Sequence, residues 1–65
     1  MSNLKNIRTK RGYSQSKLAE LSGVNVRMIQ YYEQGANDIN TAQADTVYKL
    51  AQALQCNMED LLEEF

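Results

Sequence analysis

The sequence predicts an all-α protein, a compact five-helix bundle, and three observations carry that expectation. No stretch alternates apolar and polar residues with period two, so no strand is expected. Apolar residues instead recur at helical spacing, as in Leu4 with Ile7, Ile29 with Tyr32, and the register of Val47, Leu50, Ala51 and Leu54. Gly12, Gly23 and Gly35 each stand just beyond such a pattern, where a left-handed residue closes a helix at low steric cost.

Helix 1 is expected from about Asn3 to Arg11, with Leu4, Ile7 and the stem of Arg8 on one face. Lys10 and Arg11 suit the negative C-terminal end of that helix. Ser14 is the expected N-cap of helix 2, which runs to about Leu21 with Leu18, Ala19 and Leu21 as its apolar side. Asn25 is the expected N-cap of helix 3, which runs to Gln34 with Ile29 and Tyr32 inward. Asp38 to Thr41 is rich in cap and turn residues and reads as a loop. Helix 4 covers about Ala44 to Leu54. Asn57 is expected to cap a last short helix, Met58 to Glu64, with Met58, Leu61 and Leu62 apolar and Glu59 and Asp60 in the favourable first turn. Gln55 and Cys56 lie between these last two helices, and Cys56 reads as a small buried apolar residue.

Length and composition narrow the function classes. The chain has 65 residues, enough for a single domain, 1–65, with a modest core. One cysteine gives no disulfide framework, and with no histidine there is no set of ligands for a zinc site, so no metal and no cofactor are expected. The charged N-terminal stretch does not read as a signal peptide, and no apolar run approaches the roughly 18 residues of a membrane span. The expected location is therefore cytoplasmic, with no membrane partner. Net charge is −1, but it is unevenly placed. Residues 1–32 hold Lys5, Arg8, Lys10, Arg11, Lys17 and Arg27 against Glu20, a net +5. Residues 33–65 hold Lys49 against Glu33, Asp38, Asp45, Glu59, Asp60, Glu63 and Glu64, a net −6. Such asymmetry fits a nucleic-acid partner, and equally a solvated surface on which charges segregated by chance.

The segment Tyr13–Gly35, YSQSKLAELSGVNVRMIQYYEQG, is the informative one. Two short helices flank a tight turn, Ser22-Gly23-Val24-Asn25, which is the helix-turn-helix pattern, here at about 14–34. Small Ala19 sits where a crossing helix needs close approach, and Ile29 faces inward. The chain resembles the Cro/phage-repressor-like helix-turn-helix family, the XRE family of transcriptional regulators. The likeness rests on Leu4, Arg8, Gly12, Ser14-Gln15, Leu18-Ala19, Gly23, Val24, Ile29, Tyr32-Glu33 and Gly35. It continues through Val47, Leu50-Ala51, Ala53-Leu54 and Met58-Glu59-Asp60-Leu61-Leu62. Gln55 departs from it, since many relatives carry glycine there. The resemblance implies a lambda-repressor-like bundle whose third helix enters the DNA major groove.

With Ile29 as the centre of the buried side and about 100° per residue, Gln30, Gln34, Arg27 and Tyr31 share the outer face of helix 3. By the resemblance, Val26, Arg27, Met28 and Tyr31 occupy base-reading positions. Arg27 can bond guanine O6 and N7 together, Val26 or Met28 can press on a thymine methyl, and Tyr31 can stack or donate its hydroxyl. Ser14, Gln15, Lys17, Gln30 and Gln34 are the expected backbone contacts; Gln15 does so beside the positive N-terminus of helix 2. Arg8 and Glu33 correspond to a structural ion pair between helices 1 and 3.

The expected function is a sequence-specific regulator of transcription that binds double-stranded DNA, repressor or Cro-like, as a homodimer on a near-palindromic operator. Leu62 and Phe65 are candidates for the dimer surface. The alternative is a protein-interaction module on the same fold, such as an antitoxin-like partner, which the acidic C-terminal half favours. No catalytic constellation and no small-molecule substrate site are evident: histidine is absent, no glycine-rich phosphate loop occurs, and the lone thiol has no neighbouring base.

Overall fold

In the computed structural model, which describes residues 2–63, short side chains start most of the helices. The Ser2 hydroxyl accepts the Lys5 N–H at 3.1 Å and opens α1 (Asn3–Lys10). The Ser14 hydroxyl accepts the Lys17 N–H at 3.0 Å and opens α2 (Gln15–Ser22). The Asn25 side-chain Oδ1 accepts the Arg27 N–H at 2.7 Å and opens α3 (Val26–Gln34). Each bond satisfies one of the amide donors that a helix start leaves unpaired, worth about 1 kcal/mol. The fourth helix, α4 (Ala44–Leu54), has no side-chain cap at Gln43.

The ends are closed by backbone geometry. At α3 the Ala36 N–H reaches back to the Tyr31 carbonyl (2.9 Å) and the Gly35 N–H to Tyr32 (3.3 Å), the paired bonds of a Schellman motif. The same pair recurs at α1 through Gly12 and Tyr13, and at α4 through Gln55 and Cys56. Gln55 thus takes φ +56°, a left-handed conformation that glycine adopts without penalty and that other residues resist. Arg11 secures that corner. Its Nε donates to the Leu54 carbonyl at 2.7 Å and its Nη2 to that of Gln55 at 3.2 Å. The cation expected at the end of α1 therefore serves the end of α4, whose carbonyls also carry partial negative charge.

All described secondary structure is helical, but the count differs from the expected five. Four α-helices are accompanied by two 3-10 turns, Ile39–Thr41 between α3 and α4 and Met58–Leu61 after α4. The segment read as a loop thus holds a turn, which drives Ile39 into the core. The segment read as a last helix manages only four residues, too few for cooperative α-helix propagation on its own. The Asp60 carboxylate accepts the Asn57 N–H at 3.0 Å at its start. Among the described residues of that segment only Leu61 is fully buried; Met58 is exposed, and so is Leu62, a candidate for a surface contact. Leu21, expected on the apolar side of α2, is also exposed. Phe65 and Glu64, assigned above to the dimer surface and the last helix, lie outside the described residues.

The core is Leu4, Leu18, Ile29, Leu50, Leu54 and Leu61, all nearly solvent-free, with Val24, Tyr32, Ile39, Val47 and Ala51 around them. Each fully buried aliphatic side chain contributes about 1.5–3 kcal/mol. α2 is central, packing on both α3 and α4, while the second 3-10 turn covers α4. A polar strap completes the bundle. The Asn40 amide pairs both ways with the Glu63 backbone, at 2.7 and 2.8 Å. The Glu63 carboxylate accepts the Asn3 N–H at 2.9 Å, and the Asn3 side-chain amide donates to the Leu62 carbonyl at 2.7 Å. Among the described residues, no helix is long and apolar enough to cross a membrane.

Candidate nucleic-acid interface

The turn between α2 and α3 is built from its smallest residues. Gly23 takes φ +75° and its N–H returns to the Ala19 carbonyl at 2.9 Å, ending α2. The Ser22 hydroxyl accepts the Val24 N–H at 3.1 Å, and Val24 then dives into the core. Asn25 opens α3 at once. Small Ala19, half-buried against the core, lets α3 come close across α2.

Ile29 and Tyr32 fasten α3 from below, and Glu33 fastens it from the side. The Glu33 carboxylate takes three donors: Arg8 Nε at 2.7 Å, Arg8 Nη2 at 3.0 Å and Gln15 Nε2 at 2.9 Å. The remaining Arg8 nitrogen, Nη1, donates to the Tyr13 carbonyl at 2.7 Å. The ion-paired side chains are only 10% (Arg8) and 3% (Glu33) exposed, which sets this pair apart from the surface pairs Lys17–Glu20 and Lys49–Asp45. The bidentate bond to Glu33 raises the Arg8 pKa above the ordinary arginine value, with burial opposing. One carboxylate therefore locks α1, α2 and α3 together.

With that side occupied, the opposite face of α3 is left to solvent. Arg27 and Gln34 are exposed, and so is Tyr31. Val26 and Gln30 are half-exposed, and Met28 rests partly on the core. Ser14 and Lys17 lie at the start of α2, Ser14 as its cap and Lys17 with its ammonium 3.6 Å from Glu20. Gln15 is half-buried and tied to Glu33. The fold thus brings the first turns of α2 and α3 onto adjoining segments, with cationic Lys17 and Arg27 on them.

Two links escaped the sequence reading. The Gln15–Glu33 bond spans 18 residues and has no local signature, although glutamine beside a buried carboxylate is a natural second donor. The Arg11 bonds span 43 and 44 residues and become visible only once α1 and α4 are packed.

A model of the helix-turn-helix family matches residues 4–61. No curated protein matches the chain.

Proposed function

The chain belongs to the helix-turn-helix family of Cro and phage-repressor type, and from that premise we propose that it is a sequence-specific double-stranded DNA-binding regulator of transcription. The observation that carries this reading is the face of α3. Its first two turns leave Arg27 and Tyr31 exposed and Val26 and Met28 half-exposed, while Ile29, Tyr32 and Glu33 hold the helix from behind. A rigid helix with a free face is what major-groove reading requires. Arg27 reads guanine, Val26 or Met28 meets a thymine methyl, and Tyr31 stacks or donates. Ser14, Gln15, Lys17, Gln30 and Gln34 set the register on the phosphates, beside the free amide ends of α2. On this reading the protein acts in the cytoplasm as a repressor or Cro-like regulator, two copies meeting a near-palindromic operator, as a two-fold protein takes a two-fold site.

The testing experiment is selection from a random duplex pool at about 50 and about 200 mM salt, followed by sequencing. A palindrome with half-sites about 10–11 base pairs apart, losing affinity as salt rises, is the expected result. A second reading, a protein-interaction module, draws on the exposed acids Asp45, Glu59 and Asp60 beside exposed Tyr48 and Met58. That module would enrich no duplex at either salt.

A further inference from the structure

We propose that Glu33 is a positioning residue for DNA binding as well as a structural one, acting through Gln15. This inference rests on the DNA-binding reading above and adds a role to the ion pair.

The argument starts from the amide. A glutamine side chain on a helix surface samples several rotamers, and its oxygen and nitrogen ends are interchangeable by rotation. Gln15 has neither freedom. Its Nε2 sits 2.9 Å from Glu33 Oε1, and a flipped amide would set its oxygen against a carboxylate. The carboxylate cannot swing away, because Arg8 grips both its oxygens and is itself anchored on the Tyr13 carbonyl. Glu33 spends one of the two Nε2 hydrogens, and the second is left to a further acceptor. Gln15 is the first residue of α2, one position past its Ser14 cap, where the unpaired amides of the helix start favour an anion. A phosphate oxygen arriving there meets a donor whose rotamer is already fixed. Ordering one such side chain beforehand is worth about 2- to 12-fold in affinity, from the ordering cost of a rotamer-rich side chain.

The experiment compares four proteins: the natural sequence, Gln15→Ala, the ion-pair replacement Arg8→Met/Glu33→Leu, and the triple change. The probe is a short random-sequence DNA duplex at low salt, and circular dichroism establishes that each protein is folded at the assay temperature. The ion-pair replacement is expected to weaken binding about 2- to 12-fold when Gln15 is present and to have no further effect in the Gln15→Ala background. An equal loss in both backgrounds would assign Glu33 to folding alone and overturn the proposal, while leaving the DNA-binding reading intact. Absence of any salt-dependent binding by the natural sequence would overturn both. A second measurement needs no DNA. The two side-chain Nε2 protons of Gln15 should be well dispersed by NMR and should collapse toward free-glutamine shifts in the replaced protein; unchanged shifts would refute the locking. If the replaced pair does not fold, Glu33→Asp keeps a carboxylate partner for Arg8 but withdraws it by one methylene, and the same two readouts apply.

Discussion

Replacing Glu33 by Gln changes a single oxygen to an amide nitrogen, yet the structure assigns it a cost comparable to the whole stability of the domain. The carboxylate accepts from Arg8 Nε, Arg8 Nη2 and Gln15 Nε2, so all its inward bonds come from donors. An amide offers one oxygen and one NH2, and the NH2 would point at a donor. Arg8, 8% exposed, would then be a buried cation with only the Tyr13 carbonyl as a full partner. Breaking one side of a buried pair costs about 3–5 kcal/mol. A domain of this length has about 3–10 kcal/mol in total. With a urea slope of about 1 kcal/mol per molar, the unfolding midpoint should fall by about 3 M or more, and the variant is expected to be largely unfolded at 37 °C. Arg8→Met should be comparably damaging. Arg8→Met/Glu33→Gln, which removes both charges, should be more stable than either single variant. Urea titrations followed by circular dichroism give all four corners of that cycle. Additive losses, with zero coupling between the two sites, would refute the claim that the pair works as one buried unit.

Other outcomes follow from single contacts. Gln55→Gly relieves the left-handed strain at the end of α4 and should raise stability by about 0.5–1 kcal/mol, seen as a Tm a few degrees higher; an unchanged or lower Tm would count against strain at that corner. Arg27→Ala should relax the base preference of selected sites, whereas Lys17→Ala should weaken all duplexes alike, as competition binding against single-base variants would reveal. The Cys56 thiol is pushed above its ordinary pKa by burial and by the Asp60 charge, with Arg11 opposing. Alkylation by iodoacetamide at pH 8 should therefore run slower than in the urea-unfolded chain. The sign for stability follows: burial favours the neutral thiol, so its contribution is intact below the unfolded pKa, near 9, and fades as pH rises above it.

Much of this architecture was legible in the sequence because it is written locally. Ser14 and Asn25 cap where expected, since a cap needs only a short acceptor two or three residues from its donor. Ile29, Tyr32, Val47, Leu50, Ala51 and Leu54 are buried as their spacing demanded. The buried pair of Arg8 and Glu33 was reachable only through the family likeness, as 25 residues separate its members. Local rules failed where tertiary packing decided. Leu21 and Met58 obey helical periodicity yet face solvent, because no neighbour covers them. The last segment has acids well placed for a helix start, but four residues repay too little of the nucleation cost, and it settles as a 3-10 turn. Arg11 was read from the helix it ends, while its partners stand on the helix that packs beside it.

The strap at Asn3, Asn40 and Glu63 has a topological consequence. Because the Asn3 N–H lies 2.9 Å from the Glu63 carboxylate, the two described ends of the chain meet in space. A short linker could join them, and new ends could be opened in the exposed stretch Gly35–Asp38 without cutting a helix. Such a permuted order would leave every core contact in place, but α4 would be made before α1, and the residues that now meet last would become neighbours in sequence. The Asn40–Glu63 pairing, by contrast, would keep its separation of 23 residues, while the Asn3 links to Leu62 and Glu63 would become local. Folding of the rearranged chain would thus separate what the strap contributes by ending the bundle from what it contributes by closing it.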